Sequence, residues 1–199
     1  QDTRHDLCQS AVTLAKTVGY KGAGTVEYLY EENTGRFFFI EMNTRIQVEH
    51  PVTEQITGHD LVAEMIHIAG GAALSVAQDE IKINGHSIEV RINAENPALQ
   101  FLPSPGTIDQ LSFEHSNDVR FDHFLYQGYT IPPFYDSLVG KLIIHAEERQ
   151  AAITELHKAL AGTVIKGIET TIPLLMALTE DADVKSGQVH TNWLEDWLE

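Results

Sequence analysis

A single cysteine, Cys8, is all the thiol the sequence has. That excludes a disulfide framework and a thiolate metal site, and it suits a reducing compartment, the cytoplasm or, in a eukaryote, the mitochondrial matrix. Cations are scarce as well: 13 Lys and Arg stand against 29 Asp and Glu, a formal net charge of −16. Such a balance argues against nucleic acid or a membrane surface as partner, and any anionic substrate has to be met by a few placed cations. No apolar run reaches the roughly 20 residues of a membrane span, and there is no signal peptide, repeat or low-complexity tract. What is present is 199 residues with 43% hydrophobic content, enough core for one large or two small domains. The chain opens on Gln1 rather than Met, as expected of a piece of something longer.

The most informative stretch is Glu41 to Glu49. Written as an extended strand, its odd positions are Glu41, Asn43, Arg45, Gln47 and Glu49, and its even ones Met42, Thr44, Ile46 and Val48. One face would carry oxygen ligands, an amide and a guanidinium, and the other would be apolar or β-branched. Upstream, Thr25–Tyr30 and Arg36–Glu41 are strand-like, with turn residues between them. A hairpin centred on Thr34 sets Glu27 opposite Glu41, with Cβ atoms about 4.5–5.5 Å apart. Two such carboxylates repel unless one is protonated or a cation lies between them. With Asn43 beside them the donor set is all oxygen, which suits Mg²⁺ or Mn²⁺. A slipped register would instead leave a solvated hairpin in which the two acids never meet.

Elsewhere the periodicity predicts a helix over 6–18 stopped by Gly19, an entry turn at Gly22–Gly24, and a capped helix over 60–69. The Gly22-Ala23-Gly24 cluster is also open to a phosphate-cradling reading, which the shortness of the motif disfavours. His50-Pro51-Val52 is read as a strand break, with His50 on the opposite face from Glu49 and structural in role. A domain boundary is placed near 77–84. Beyond it, 87–92 reads as a strand on which Glu89 and Arg91 share a face, either as a surface pair or as a site near the strand end. A second strand is expected over 138–145, where Asp136 and Lys141 are each open to a site or an anchoring role. Helices are expected over 147–161, after Pro173, and after a cap at Thr191. The fold class expected is α+β.

Several segments together resemble one family. They are Glu41–Glu54, Arg91–Glu95, Phe101–Gly106 and Tyr135–Leu142. Over essentially the whole chain the sequence resembles the C-terminal part of biotin carboxylase, the ATP-grasp component of biotin-dependent acyl-CoA carboxylases. The resemblance implies that 1–80 is the C-terminal part of the ATP-grasp catalytic domain, an antiparallel sheet with helices. Residues 81–199 would be the biotin carboxylase C-terminal α+β domain. It implies a reaction in which MgATP activates bicarbonate as carboxyphosphate, which releases CO₂ to the ureido nitrogen of biotin on a carrier protein.

The same resemblance assigns roles. Glu27, Glu41 and Asn43 match the holders of the Mg²⁺ or Mn²⁺ ions that bridge the ATP phosphates. Arg45 matches the bicarbonate-binding arginine, helped by Gln47 and the backbone of Val48. Glu49 matches the general base, and Arg91 the residue that stabilises the biotin enolate. The implied partners are biotin carboxyl carrier protein, a carboxyltransferase and a second copy in a homodimer, with apolar contact from 111–126 (Phe113, Phe121, Phe124, Tyr126). The family's N-terminal domain, glycine-rich lid and ATP-gripping lysines lie before the first residue, so the chain alone is expected not to turn over. A noncatalytic dimerisation or carrier-docking module is the competing expectation. With no Met-Lys-Met motif, and with Glu199 taken as a natural end, a free-standing acetyl-CoA carboxylase subunit is favoured over a fused propionyl-, methylcrotonyl- or pyruvate-type enzyme.

Overall fold

The computed structural model describes residues 2–113 and 118–199, and the chain divides into two compact units, 1–82 and 83–199. In chain order the first unit contains α1 (Asp2–Thr17), β1 (Thr25–Glu31), β2 (Arg36–Asn43), α2 (His50–Thr57) and α3 (Leu61–Ala69). β1 and β2 form an antiparallel hairpin. Tyr28, on β1, donates its hydroxyl to Ser10 Oγ at 3.2 Å and so ties the hairpin to α1. Asp60 caps α3, its side chain accepting from the Ala63 N–H at 2.8 Å, as its sequence position predicts. The expected helix over 6–18 begins earlier, at Asp2. Between α1 and β1, Gly22 takes φ +113°, a conformation that favours glycine and that a tight entry turn uses.

The second unit contains β3 (His86–Asn93), β4 (Glu95–Asn96), β5 (Leu102–Pro103), β6 (Gly106–Thr107), β7 (Gln110–Ser112), β8 (Val119–His123), β9 (Thr130–Ile131) and β10 (Leu138–Ala146). It continues with α4 (Arg149–Ala161), β11 (Val164–Lys166), α5 (Ile172–Glu180), α6 (Ala182–Ser186) and α7 (Trp193–Leu198). Its centre is a three-stranded antiparallel sheet in the order β3, β10, β8. Along β10, Leu142 and Ile144 join Ile92, Leu156 and Leu160 in the core, with α4 packed against β10 and β3. Each such fully buried branched side chain is worth roughly 1.5–3 kcal/mol. Gly140 is required in that strand because a Cβ there would stand 2.7 Å from the Phe121 ring on β8. The short pairs β4–β5, β6–β9 and β7–β11 close the periphery.

Other helix ends differ from expectation too. Pro51 opens α2 rather than merely ending a strand, because proline's fixed φ and missing N–H suit the first helical turn. At the last helix the capping position falls on Asn192, one residue after Thr191, and carries no side-chain cap bond. In the stretch 111–126, residues 114–117 lie outside the described residues. Phe113 packs edge-on to Phe121 at 5.0 Å, while Phe124 and Tyr126 are exposed. Among the described residues no helix is long and apolar enough to cross a membrane.

Candidate functional site

The hairpin places the two acids together, by a route the sequence hides. Near the turn, Glu31 pairs with Arg36 and Tyr28 with Phe39, a register centred between Asn33 and Thr34 rather than on Thr34. Continued unchanged, it would set Glu27 against Ile40. The register shifts between Tyr28 and Glu27, so that Ile40 is the extra residue of a β-bulge and Glu27 pairs with Glu41. The two carboxylates then share Asn43, whose Nδ2 donates to Glu27 Oε1 at 2.8 Å and to Glu41 Oε1 at 3.3 Å. An amide donor between two carboxylates marks the point where positive charge is wanted. Among the described residues no group of three or more His, Cys, Asp or Glu is placed to hold a metal. Two carboxylates and an amide nevertheless fit a hard divalent ion that takes its other ligands from phosphate and water.

Beyond Asn43 the extended-strand expectation fails. The ladder ends at the pair Thr25–Asn43 because β1 begins there and offers no further partner. Residues 44–49 instead form a loop and turn into α2, closed by the His50 N–H donating to Gln47 O at 3.3 Å and the Val52 N–H donating to Glu49 O at 3.2 Å. Arg45, Gln47 and Glu49 still converge, because the turn rather than strand alternation brings them to one cavity of about 190 Å³. Arg45 joins that cavity to the acid pair, its Nη2 lying 3.5 Å from Asn43 Oδ1. His50 lines the same cavity, against the expectation that it points away from Glu49. Its Nδ1 sits 2.7 Å from Gln47 O.

Glu54, which sequence reasoning passed over, is buried on α2 and accepts from the Leu61 N–H, the first residue of α3, at 2.9 Å. A carboxylate suits that place because helix N-termini carry unsatisfied N–H groups and partial positive charge. The signal that could have found it is the four-residue spacing from His50, once 50–57 is read as a helix.

In the second unit, Arg91 is exposed on β3 and pairs in register with Lys141 on β10. The Glu89 carboxylate is buried rather than at the surface. Its side chain is 3% exposed and lies 3.9 Å from the Lys141 Nζ, which is 13% exposed, so Lys141 serves as an anchor. Asp136 is exposed and uses Oδ1 to accept from the Leu138 N–H at 2.7 Å, fixing the entry to β10.

Comparison with known proteins follows this division. Residues 89–196 match the biotin carboxylase C-terminal domain, and residues 1–77 match the ATP binding domain of the carbamoyl-phosphate synthase L chain. Biotin carboxylase 1 of Bacillus subtilis is 48% identical over 98% of this chain and 44% of its own length. Biotin carboxylase of Haemophilus influenzae is 48% identical over the full chain and 44% of its own length. The chain thus spans under half the length of these relatives. A crystal structure of the biotin carboxylase domain dimer of Hydrogenobacter thermophilus 2-oxoglutarate carboxylase, with MgADP, ADP and bicarbonate, superposes with a TM-score of 0.91 at 45% identity. That match covers 98% of this chain and 43% of that one. An antiparallel α+β architecture, a paired-acid hairpin and these matches lead to one conclusion: the chain belongs to the biotin carboxylase family.

Proposed function

We propose that the chain supplies the metal, bicarbonate and biotin side of an ATP-dependent biotin carboxylase within a longer protein. The observation that carries this reading is the Asn43 amide bonded to both Glu27 and Glu41, one guanidinium away from the cavity of Arg45, Gln47 and Glu49. Residues 1–80 are assigned to the ATP-grasp domain and 81–199 to the biotin carboxylase C-terminal domain.

Glu27, Glu41 and Asn43 would hold Mg²⁺ or Mn²⁺, which when bound neutralises charge on the transferring phosphoryl group. The chain's own residues then have separable tasks. The planar fork of Arg45 holds bicarbonate, with Gln47 and the backbone of Val48 as further contacts. Glu49 accepts the bicarbonate proton, making the oxygen a nucleophile toward the γ-phosphoryl of ATP. Arg91 stabilises negative charge developing on the biotin ureido oxygen, as a fixed cation does at an oxyanion.

Partners follow from the same reading: a biotin carboxyl carrier protein, a carboxyltransferase, and a second copy of the chain. The exposed aromatics Phe124 and Tyr126 favour an interface role for the second unit, the property on which a noncatalytic dimerisation or carrier-docking module would also rest. We assign the complex to acetyl-CoA carboxylase in the cytoplasm, with the 2-oxoglutarate-type neighbour as a reminder that the carboxyltransferase chooses the acceptor. The test uses the full-length protein with ATP, Mg²⁺, bicarbonate and free biotin. Phosphate release that needs both bicarbonate and biotin, and that Glu49→Gln sharply lowers, is expected. Release indifferent to either substrate defeats the reading, and light scattering showing a monomer at all concentrations defeats the dimer.

A further inference from the structure

The bicarbonate assignment leaves unexplained why an irregular turn should hold three polar side chains on one cavity. Strand alternation does not do it, since β2 ends at Asn43. The turn that does is spanned by His50. Its ring is half-buried, lines the cavity with Arg45, Gln47 and Glu49, and places Nδ1 2.7 Å from the Gln47 carbonyl. A carbonyl oxygen only accepts, so Nδ1 carries the hydrogen and donates it. In neutral His50 this leaves Nε2 as the unprotonated ring nitrogen, a tautomer set by the turn itself.

The bond closes a small ring. His50 N and His50 Nδ1 both donate to Gln47 O, so backbone and side chain of one residue grip the same carbonyl. Between donor and acceptor lie Val48 and Glu49, which cannot rotate freely while that carbonyl is held from both sides. Pro51 is buried at the start of α2, where its own φ is fixed. The anion-facing groups are thus borne by a loop but held as if on a regular element, the support a preorganised site needs.

We infer that His50 is a positioning residue for the anion cavity: through its Nδ1–H···O=C bond to Gln47 it fixes the 47–49 turn that presents Gln47, Val48 and Glu49 to bicarbonate. It rests on the assignment of that cavity to bicarbonate, and it adds a residue acting through the backbone rather than on the substrate.

The test compares His50→Ala, His50→Asn and His50→Gln in the full-length carboxylase, with Arg45→Ala beside them. Asn carries an amide N–H at the position of Nδ1, whereas Gln carries it one bond further out. KM for bicarbonate and for MgATP is measured in bicarbonate-dependent ATP cleavage, and thermal melting checks folding. Loss of one backbone-directed hydrogen bond is expected to raise the bicarbonate KM about tenfold in the Ala and Gln variants, with the MgATP KM within about twofold of the parent. His50→Asn should return most of that loss. If Ala does not fold, the contrast between Asn and Gln decides. Equal bicarbonate KM in Asn and Gln, or bicarbonate and MgATP constants rising together, overturns the positioning role. If Arg45→Ala also leaves the bicarbonate KM unchanged, the cavity is not the bicarbonate site and both readings fall; if Arg45→Ala raises it while Asn and Gln stay alike, only the role of His50 falls.

Discussion

Asn43 is where the chemistry of the hairpin concentrates. Its Nδ2 donates to both carboxylates and its Oδ1 lies within 3.5 Å of Arg45, so one side chain links acids and guanidinium. Removing it leaves Glu27 and Glu41 facing each other without the donor they share, and the proposed divalent-ion site with one ligand fewer. In the full-length protein Asn43→Ala is expected to weaken Mn²⁺ binding by about 10–100-fold, the range seen when one supporting group of a metal site is lost. Calorimetric titration with Mn²⁺ in the absence of nucleotide checks it, and an unchanged affinity would count against the site. Glu49→Gln keeps shape and removes the carboxylate proposed as the base. It should lower kcat by about 10²–10⁴-fold while leaving Mn²⁺ affinity intact, since Glu49 lines the cavity of Arg45 and Gln47 and not the acid pair.

At the scale of elements the bulge at Ile40 decides more than any single side chain. Deleting Ile40 removes only the unpaired residue, so the hairpin should persist by far-UV circular dichroism and Glu41 should stay opposite Glu27 in a regular ladder. Mn²⁺ binding should then be retained, and a folded deletion variant that no longer binds the ion would refute the register argument. The hairpin's existence was legible in the sequence, from its β-branched and aromatic runs and its turn residues. The bulge was not, since nothing in Phe38-Phe39-Ile40 distinguishes an extra residue from a paired one. The facing of Glu27 and Glu41 was therefore read correctly from a turn centre that the structure moves by half a residue.

The same contrast holds elsewhere. The helix start at Asp60 and the strands around 86–93 and 138–146 announce themselves by capping and by apolar content. α2 was missed because His50-Pro51 reads equally as the end of a strand and the start of a helix, and only the tertiary setting chooses. The convergence of Arg45, Gln47 and Glu49 matched an alternation that the backbone does not follow. The final helix offers a pH test. Trp193 and Trp197 donate their indole N–H groups to Asp183 and Asp181, each at 3.0 Å. For Asp181 the largest influence, desolvation, raises the pKa, but the N–H groups of Val184, Trp197 and Asp183 and the charge of Lys185 together outweigh it and hold the carboxyl below its ordinary value. A depressed folded pKa gives stability that is present above the unfolded value and lost as pH falls through the folded one. Tryptophan fluorescence should thus be flat above about pH 4 and change only below it, given an unfolded aspartate near 3.9. Trp197→Phe should reduce that transition, since Trp197 is one of four groups that lower the Asp181 pKa, and a transition unaffected by it would show that the helix is released by other groups.

For the molecule as a whole, burial is divided unequally. The core of branched aliphatic side chains lies in the second unit, while in the first only Pro51 and Glu54 fall in the buried class among the described residues. There Phe39, Ile40 and Ile66 remain 55%, 56% and 67% exposed. Hydrogen exchange on the 199-residue chain should accordingly find its slowest amides along Leu142–Ile144 and faster exchange through β1 and β2. Protection as high in β1 as in β10 would contradict this. Ile144→Ala, in the core, is expected to cost about 2–5 kcal/mol in denaturant unfolding of the second unit.

The unequal burial also sets how the chain tolerates change. In the second unit most damaging substitutions act by lowering the population of folded molecules, so they can be offset by stabilising changes elsewhere. In the first unit the vulnerable positions are those proposed to hold ligands and those that set the register of the hairpin. A saturation-mutagenesis map would therefore fall into two regimes within one gene: temperature-sensitive losses after residue 83, and losses clustered on Glu27, Glu41, Asn43 and the 45–50 turn that no stabilising background can rescue.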